Sequence, residues 1–168
     1  MNKLDLLTML SKLNIRYNIY EHPPLHTVKE SKKLRGRIEG IHTKNLFLKN
    51  KKNKFFLFSC QESTIVDLKQ LNKELNLGNI SFAKDLYLKN ILGVKPGSVT
   101  PFGLINDQNN EIEFFLDKKI FYHKKVNFHP LVNTSTVSLD AKDFLLFMKK
   151  NNKLVNIFNF DNYTIENE

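Results

Sequence analysis

Leu4, Leu6, Leu7, Leu10 and Leu13 recur at helical spacing, so the pattern predicts an amphipathic helix over residues 3 to 13, ending near Asn14 and capping the core. Tyr17-Asn18-Ile19-Tyr20 alternates instead, as a short strand does, and stops at Glu21-His22-Pro23-Pro24, where two prolines forbid both helix and ladder pairing. Thr27 and Glu30 stand at the N-cap and N3 spacing of a short helix over Val28 to Leu34. Ile41 to Lys49 and Lys54 to Cys60 are apolar, aromatic runs on either side of Asn50-Lys51-Lys52-Asn53, which reads as a hairpin. Asp67 to Leu75 sets Leu68, Leu71 and Leu75 on one helical face, and Ile80-Ser81-Phe82 then Ala83 to Ile91 predict an extended piece followed by a helix. Ile112 to Leu116, Lys124 to Phe128 and Ser135 to Leu139 are strand-like. Asp140 opens a last helix with Phe144, Leu145, Phe147 and Met148 inward, and Leu154 to Phe158 predicts an edge strand ahead of an acidic tail. Strands and helices interleave irregularly without an internal repeat. That points to one domain over residues 1 to 168, an α/β (mixed α+β) fold with a mixed sheet flanked by helices.

One stretch fits neither period. From Leu92 to Leu104, in Leu92-Gly93-Val94-Lys95-Pro96-Gly97-Ser98-Val99-Thr100-Pro101-Phe102-Gly103-Leu104, three glycines and two prolines exclude a helix interior or a central strand. Pro96 presets φ for the first corner of a tight turn, and Gly97 can take the positive φ that the second corner of a type II turn needs. Ser98 and Thr100 carry short side chains past which a substrate can approach, with Val99, Phe102 and Leu104 as apolar anchors. A tight connection between core elements would explain the turn but not its length or its two-proline rigidity, so the stretch reads as a binding loop.

With 168 residues, 41% apolar and 26% charged, the chain has a globular composition and no run approaching a membrane span. Its first ten residues include Asp5 and lack a small-residue cleavage site, and Cys60 is the single cysteine, so the expectation is a cytoplasmic protein without an internal disulfide framework. The net charge of +9 makes a polyanion, nucleic acid first, the default partner class, although lysine-rich surfaces also serve solubility. Two basic clusters, Lys32, Lys33, Arg35 and Arg37, then Lys49, Lys51, Lys52 and Lys54, either follow a phosphate backbone or solvate a loop and a hairpin tip.

Walker, GxGxxG, paired-cysteine and GxSxG motifs are absent. His22 and His26 have i, i+4 spacing, but Pro23 and Pro24 break the helix that would aim them at one metal, so no metal is expected. Lys44, beside Asn45, sits in the apolar run Ile41 to Leu48. Its ammonium either meets an anionic partner or snorkels to the sheet edge. His129, in Phe128-His129-Pro130-Leu131-Val132-Asn133, is either a proton donor or orienting group, or a ring bonded to a loop carbonyl. Cys60 reads as a core thiol rather than a nucleophile.

Glu21-His22-Pro23-Pro24 with Thr27-Val28, Lys44-Asn45-Leu46-Phe47-Leu48-Lys49, Val66-Asp67-Leu68-Lys69, Leu92-Gly93-Val94, Pro96 to Asp107, and Phe128-His129-Pro130-Leu131 with Asn133 resemble, in this order, the YbaK/ProX family of freestanding aminoacyl-tRNA deacylases. The long central motif is most similar to the alanine-specific prolyl-tRNA editing branch. The resemblance spans about residues 15 to 150. It implies a curved, largely antiparallel sheet and hydrolysis, without a cofactor, of the ester of mischarged proline tRNA, most simply Ala-tRNA(Pro). A cysteine-specific deacylase and a non-catalytic module that binds tRNA ends or a synthetase are the rivals. The implied partners are proline tRNA and prolyl-tRNA synthetase. The implied catalytic residues are Lys44, Gly97, Ser98 and His129, and the implied substrate contacts are Asn45, Val99, Thr100, Pro101 and Phe102, with loop amides near Gly97 and Ser98 facing the developing oxyanion. Editing of this kind is needed because a proline pocket admits the smaller alanine, and missing methylene contacts discriminate weakly.

Overall fold

The computed structural model describes residues 1–25, 27–34 and 37–166. His26, considered above for metal binding, and Arg35, considered for tRNA, lie outside the described residues. In chain order the elements are α1 (Lys3–Lys12), β1 (Tyr17–Glu21), α2 (Val28–Leu34), β2 (Ile41–Lys49), β3 (Phe55–Gln61), α3 (Leu68–Leu75), β4 (Ser81–Phe82), α4 (Asp85–Tyr87) running into a π-helical turn (Leu88–Leu92), a 3-10 helix (Pro101–Asn106), β5 (Ile112–Asp117), α5 (Lys118–Phe121), β6 (Lys125–Phe128), β7 (Ser135–Asp140), α6 (Ala141–Lys150), β8 (Asn156–Asn159) and β9 (Thr164–Glu166). The strands form one mixed sheet in the order β1-β7-β6-β2-β3-β5-β8-β9, with β4 attached to β2. Five of its eight pairings are antiparallel, and the β2/β6, β3/β5 and β5/β8 pairs are parallel.

Local chemistry sets the ends of these elements. Asn2 and Asp5 form a reciprocal capping box on α1, at 3.1 and 2.9 Å. Thr27 and Glu30 do the same for α2, at 3.1 and 3.2 Å. The hairpin between β2 and β3 is organised by Asn50, whose Oδ1 accepts from the Lys52 and Lys54 amides and whose Nδ2 donates to the Leu77 carbonyl. Leu6 and Leu10 carry α1 into the core, whereas Leu4 is 73% exposed. At 3.6 residues per turn Leu4 lies about 140° around the helix from the midpoint of Leu6 and Leu10, which is why the leucine spacing overstated the buried stripe.

The sheet has an apolar layer on each face. One layer gathers α1, the 3-10 helix and α6 over β2, β3, β5, β6 and β7, and the other gathers α3, the β8 strand and the residues around Phe160 and Tyr163. In the first, Phe102 is fully buried, with ring centroids 5.8, 5.9 and 5.4 Å from those of Phe128, Phe144 and Phe147. Edge-on contacts of this kind add to the burial of the rings themselves.

Three sequence expectations change. The C-terminal strand is not the edge: β8 pairs with β5 on one side and with β9 on the other, and Glu166 of the expected acidic tail accepts from Lys118 Nζ at 2.6 Å. The four-residue α5, capped by Asp117, is too short for a period to reveal. The second half of the central loop is helical from Pro101 to Asn106, because proline is favoured at a first helical position and a 3-10 turn needs only three residues per turn.

Candidate functional site

The site begins with a break in the sheet. On one edge β2 is paired with β3 continuously from Thr43 to Lys49. On the other edge β6 pairs only with Ile41 and His42, and β4 only with Leu48 and Lys49. The ladder is therefore interrupted from Thr43 to Phe47, just past the carboxyl end of β6, the kind of place where open α/β sheets leave room for a ligand. His42 offers its carbonyl to Glu62 on the β3 side and Phe47 offers its carbonyl to Ala83 on the other, each at 2.9 Å. Backbone groups alternate along a strand, so the peptide groups of Asn45 face the break.

Asn45 ties the central loop to this strand. Its Nδ2 donates to the Val99 carbonyl at 2.9 Å, and its Oδ1 accepts from the hydroxyl of fully buried Ser59 at 2.6 Å. Upstream, Ser98 N–H donates to the Lys95 carbonyl at 3.0 Å and Gly97 has φ +81°, the geometry that a type II turn demands of its third residue. Only a residue without Cβ adopts that conformation freely. This turn hydrogen bond uses the Ser98 amide, which the sequence reading had assigned to the oxyanion, and the Ser98 side chain is buried. Gly97 is exposed. Thr100 and Phe102, expected among the substrate contacts, lie inside the fold. Both are fully buried, Thr100 as the cap whose hydroxyl accepts from the Phe102 amide, and Phe102 beneath the loop. Pro101 is buried at the start of the 3-10 helix, and Val99 is half-buried against the core.

Asn45→Ala should remove the tie and strand the Ser59 hydroxyl. A buried hydroxyl without a partner costs about 1–3 kcal/mol. We expect a loss of that size in chemical denaturation and increased proteolysis between Gly93 and Thr100; an unchanged denaturation midpoint would show that the tie carries no weight.

Lys44 lies on the opposite face. It pairs across from Cys60, and its Nζ donates to the Thr64 carbonyl in the segment after β3. Strand alternation thus separates two residues that the sequence places side by side. An ammonium has three donors, so the Thr64 bond leaves capacity for a ligand carbonyl or phosphate. Cys60 is fully buried; burial pushes its thiol up to about 12, outweighing the Lys44 charge that lowers it, with Asp117 adding to the rise. It stays protonated at neutral pH and sits in the core, where the sequence reading places it.

His129 follows β6 and is half-buried. Its Nδ1 lies 3.0 Å from the Ser135 carbonyl, which can only accept, so Nδ1 carries a proton. The pairing of β1 with β7 brings in a residue the sequence reading weighed only as a metal ligand: His22, whose ring lies 6.2 Å from that of His129. Both His22 nitrogens are engaged, by the Pro23 carbonyl at 3.0 Å and by Thr136 Oγ1 at 2.9 Å. The Glu21-His22-Pro23-Pro24 segment is held in place by Leu25 N–H on the Asn133 carbonyl and His22 N–H on the Thr134 carbonyl, both at 3.0 Å. The outer side of the central turn, Lys95, Pro96 and Ser98, shares an open cavity of about 460 Å³ with Leu131 to Thr134 and with Met1, Asn2 and Lys3.

Of the basic residues, Lys32, Lys33 and Arg37 are exposed before the start of β2, and Lys51 and Lys52 are exposed at the hairpin tip past its other end. Lys49 is half-buried, its Nζ 5.2 Å from the centre of the Tyr87 ring. The two clusters thus flank β2 in sequence, and its nine residues span about 30 Å.

The family model described as "Aminoacyl-tRNA editing domain" matches residues 22–147. The chain belongs to the aminoacyl-tRNA editing domain family. It is 35% identical over 164 residues to the mouse "Prolyl-tRNA synthetase associated domain-containing protein 1", covering 95% of this chain and 96% of the relative. It is 32% identical over 150 residues to the "Prolyl-tRNA editing protein ProX" of Acetoanaerobium sticklandii, covering 89% and 92%. The fold matches the crystal structure of a candidate trans-editing enzyme for prolyl tRNA synthetase, with a TM-score of 0.66 and 16% identity over 99% of this chain and 97% of that one. Within this editing domain no helix among the described residues is long and apolar enough to cross a membrane.

Proposed function

We propose that this editing domain is a trans-acting deacylase that hydrolyses the ester of mischarged proline tRNA, with Ala-tRNA(Pro) as its main substrate. The observation that carries the reading is the Asn45 tie. It fixes a Gly97-cornered loop beside a break in the sheet, at a strand that also bears Lys44. Water adds to the ester carbonyl carbon, the bond to the ribose oxygen breaks, and the proton lost by the water leaves with the ribose hydroxyl; free alanine and tRNA are the products. Lys44 holds the charged 3′ end or polarises the ester carbonyl, and the exposed Gly97 amide or the Asn45 peptide group facing the break offers a donor to the oxyanion. The neighbouring ribose hydroxyl orients the water, and His129, with His22 beside it, shapes the polar wall rather than forming a triad. The basic residues at both ends of β2 hold the tRNA backbone, and the names of the animal relatives support prolyl-tRNA synthetase as a partner. The reaction calls for no cofactor, and the cytoplasm is where its substrate is made.

A deacylation panel of proline tRNA charged with alanine, cysteine, serine and proline tests this reading. Fast release of alanine is expected. Removal of cysteine alone would place the chain with the cysteine-specific deacylases, and binding without release of any amino acid would make it a non-catalytic module.

A further inference from the structure

Beyond the break in the ladder, β4 and α4 present an apolar surface that neither core uses. Phe82 is 61% exposed and Leu86 is 63% exposed, four residues apart on consecutive elements. Phe82 stands directly across from Leu48, and residues paired in register share a face. Leu48 lies four positions along β2 from Lys44, so the two-residue period puts Phe82 on the Lys44 face. The Ala83 amide bonded to the Phe47 carbonyl at 2.9 Å fixes β4 as the far wall of the break. Next to Phe82 and Leu86 in the chain, Lys84 and Lys89 are exposed, and Asp85 is the one acid between Phe82 and Lys89. An exposed ring among lysines on a protein of net charge +9 has the makings of a platform for single-stranded nucleic acid, where the ring stacks a base and the ammonium groups meet phosphates.

We propose that Phe82 stacks an unpaired base of the tRNA 3′ end and thereby aligns the aminoacyl ester with Lys44, a role that rests on the deacylase reading above. Lys84 and Lys89 then contact the adjoining phosphates. A protein partner is the less favoured occupant, since the lysines around the ring suit a polyanion better than the core of a protein contact, where lysine is depleted.

The test uses an acceptor-stem RNA microhelix whose 3′ end carries alanine through a stable amide in place of the ester, in versions that lack one base at each of the unpaired 3′ positions in turn. Phe82→Ala should bind the intact probe about five- to a hundredfold more weakly, the range for losing one base–aromatic stack. Phe82→Tyr should bind within about twofold of the wild type, because it keeps the ring. For one abasic probe the loss should match that of Phe82→Ala and the two losses should not add, the mark of a direct contact. Melting temperatures confirm that the variants fold, as the exposure of Phe82 leads one to expect. Wild-type affinity in Phe82→Ala, or additive losses with every abasic probe, would overturn the proposal even if the wild type clears Ala-tRNA(Pro). An effect confined to association with prolyl-tRNA synthetase would overturn it in favour of a protein contact. Failure of the wild type both to bind the probe and to release any amino acid would remove the deacylase reading as well.

Discussion

Lys44→Ala is expected to lower the single-turnover rate of deacylation by about a hundredfold, the usual cost of removing one electrostatic contact made to a transition state. The fold gives this residue an unusual position. It is half-buried on a strand whose β6/β4 edge is open, and its ammonium donates to the Thr64 carbonyl. A lysine kept only for packing would be replaced by alanine at some cost in stability and with little effect on chemistry once the fold is intact. Lys44 instead faces away from the Asn45 tie, so its removal leaves the central loop held and the melting temperature nearly unchanged. Lys44→Arg should recover part of the binding but not the rate, because a planar fork does not reproduce the point charge of an ammonium. Near-normal hydrolysis by a folded Lys44→Ala protein would remove the residue from the mechanism.

Phe102→Ala is expected to cost about 3–5 kcal/mol in chemical denaturation, the range for emptying a buried aromatic site. The ring is fully buried and touches three other phenylalanines from β6 and α6, so the cavity cannot collapse without moving both. With total stabilities of about 5–15 kcal/mol in domains of this kind, such a loss is a large part of the whole. The effect on selectivity separates this role from a pocket wall. A wall residue would change the ratio of alanine to proline release while leaving stability nearly intact. A supporting residue lowers stability and, in the fraction that remains folded, lowers both rates together. A selectivity change in a fully stable Phe102→Ala protein would return the ring to the pocket.

These two residues also show how far the chain could be read before its fold was known. The type II corner at Pro96-Gly97 was legible because φ restriction and glycine tolerance are local properties, and the turn has the expected hydrogen bond and φ. The hairpin, the Thr27 cap and the inward residues of α6 were legible for the same reason, since each is set within one turn or one strand pair. What lay hidden depends on pairing between distant segments. Phe102 follows a proline in a loop-like string, and only its packing against Phe128, Phe144 and Phe147 shows it to be core. Lys44 and Asn45 look like one polar patch until strand alternation separates their side chains. His22 lies more than a hundred residues from His129 in sequence and meets it through the β1–β7 pairing. The break in the ladder at Thr43 to Phe47 has no signature in β2 at all. It arises because β6 stops and β4 begins elsewhere along the same edge.

The claim that the loop beside this break accepts alanine and excludes proline rests on its rigidity: Gly97 at positive φ, Asn45 on the Val99 carbonyl, and the 3-10 helix anchored by Phe102 leave little freedom to widen for a pyrrolidine ring. Steric exclusion by such a frame can exceed the roughly 1–3 kcal/mol that missing methylene contacts provide. The most direct measurement is the single-turnover rate of amino-acid release from the same proline tRNA charged with alanine or with proline, at matched enzyme concentration. Release of alanine should be faster by well over tenfold, whereas equal rates for the two amino acids would contradict the account.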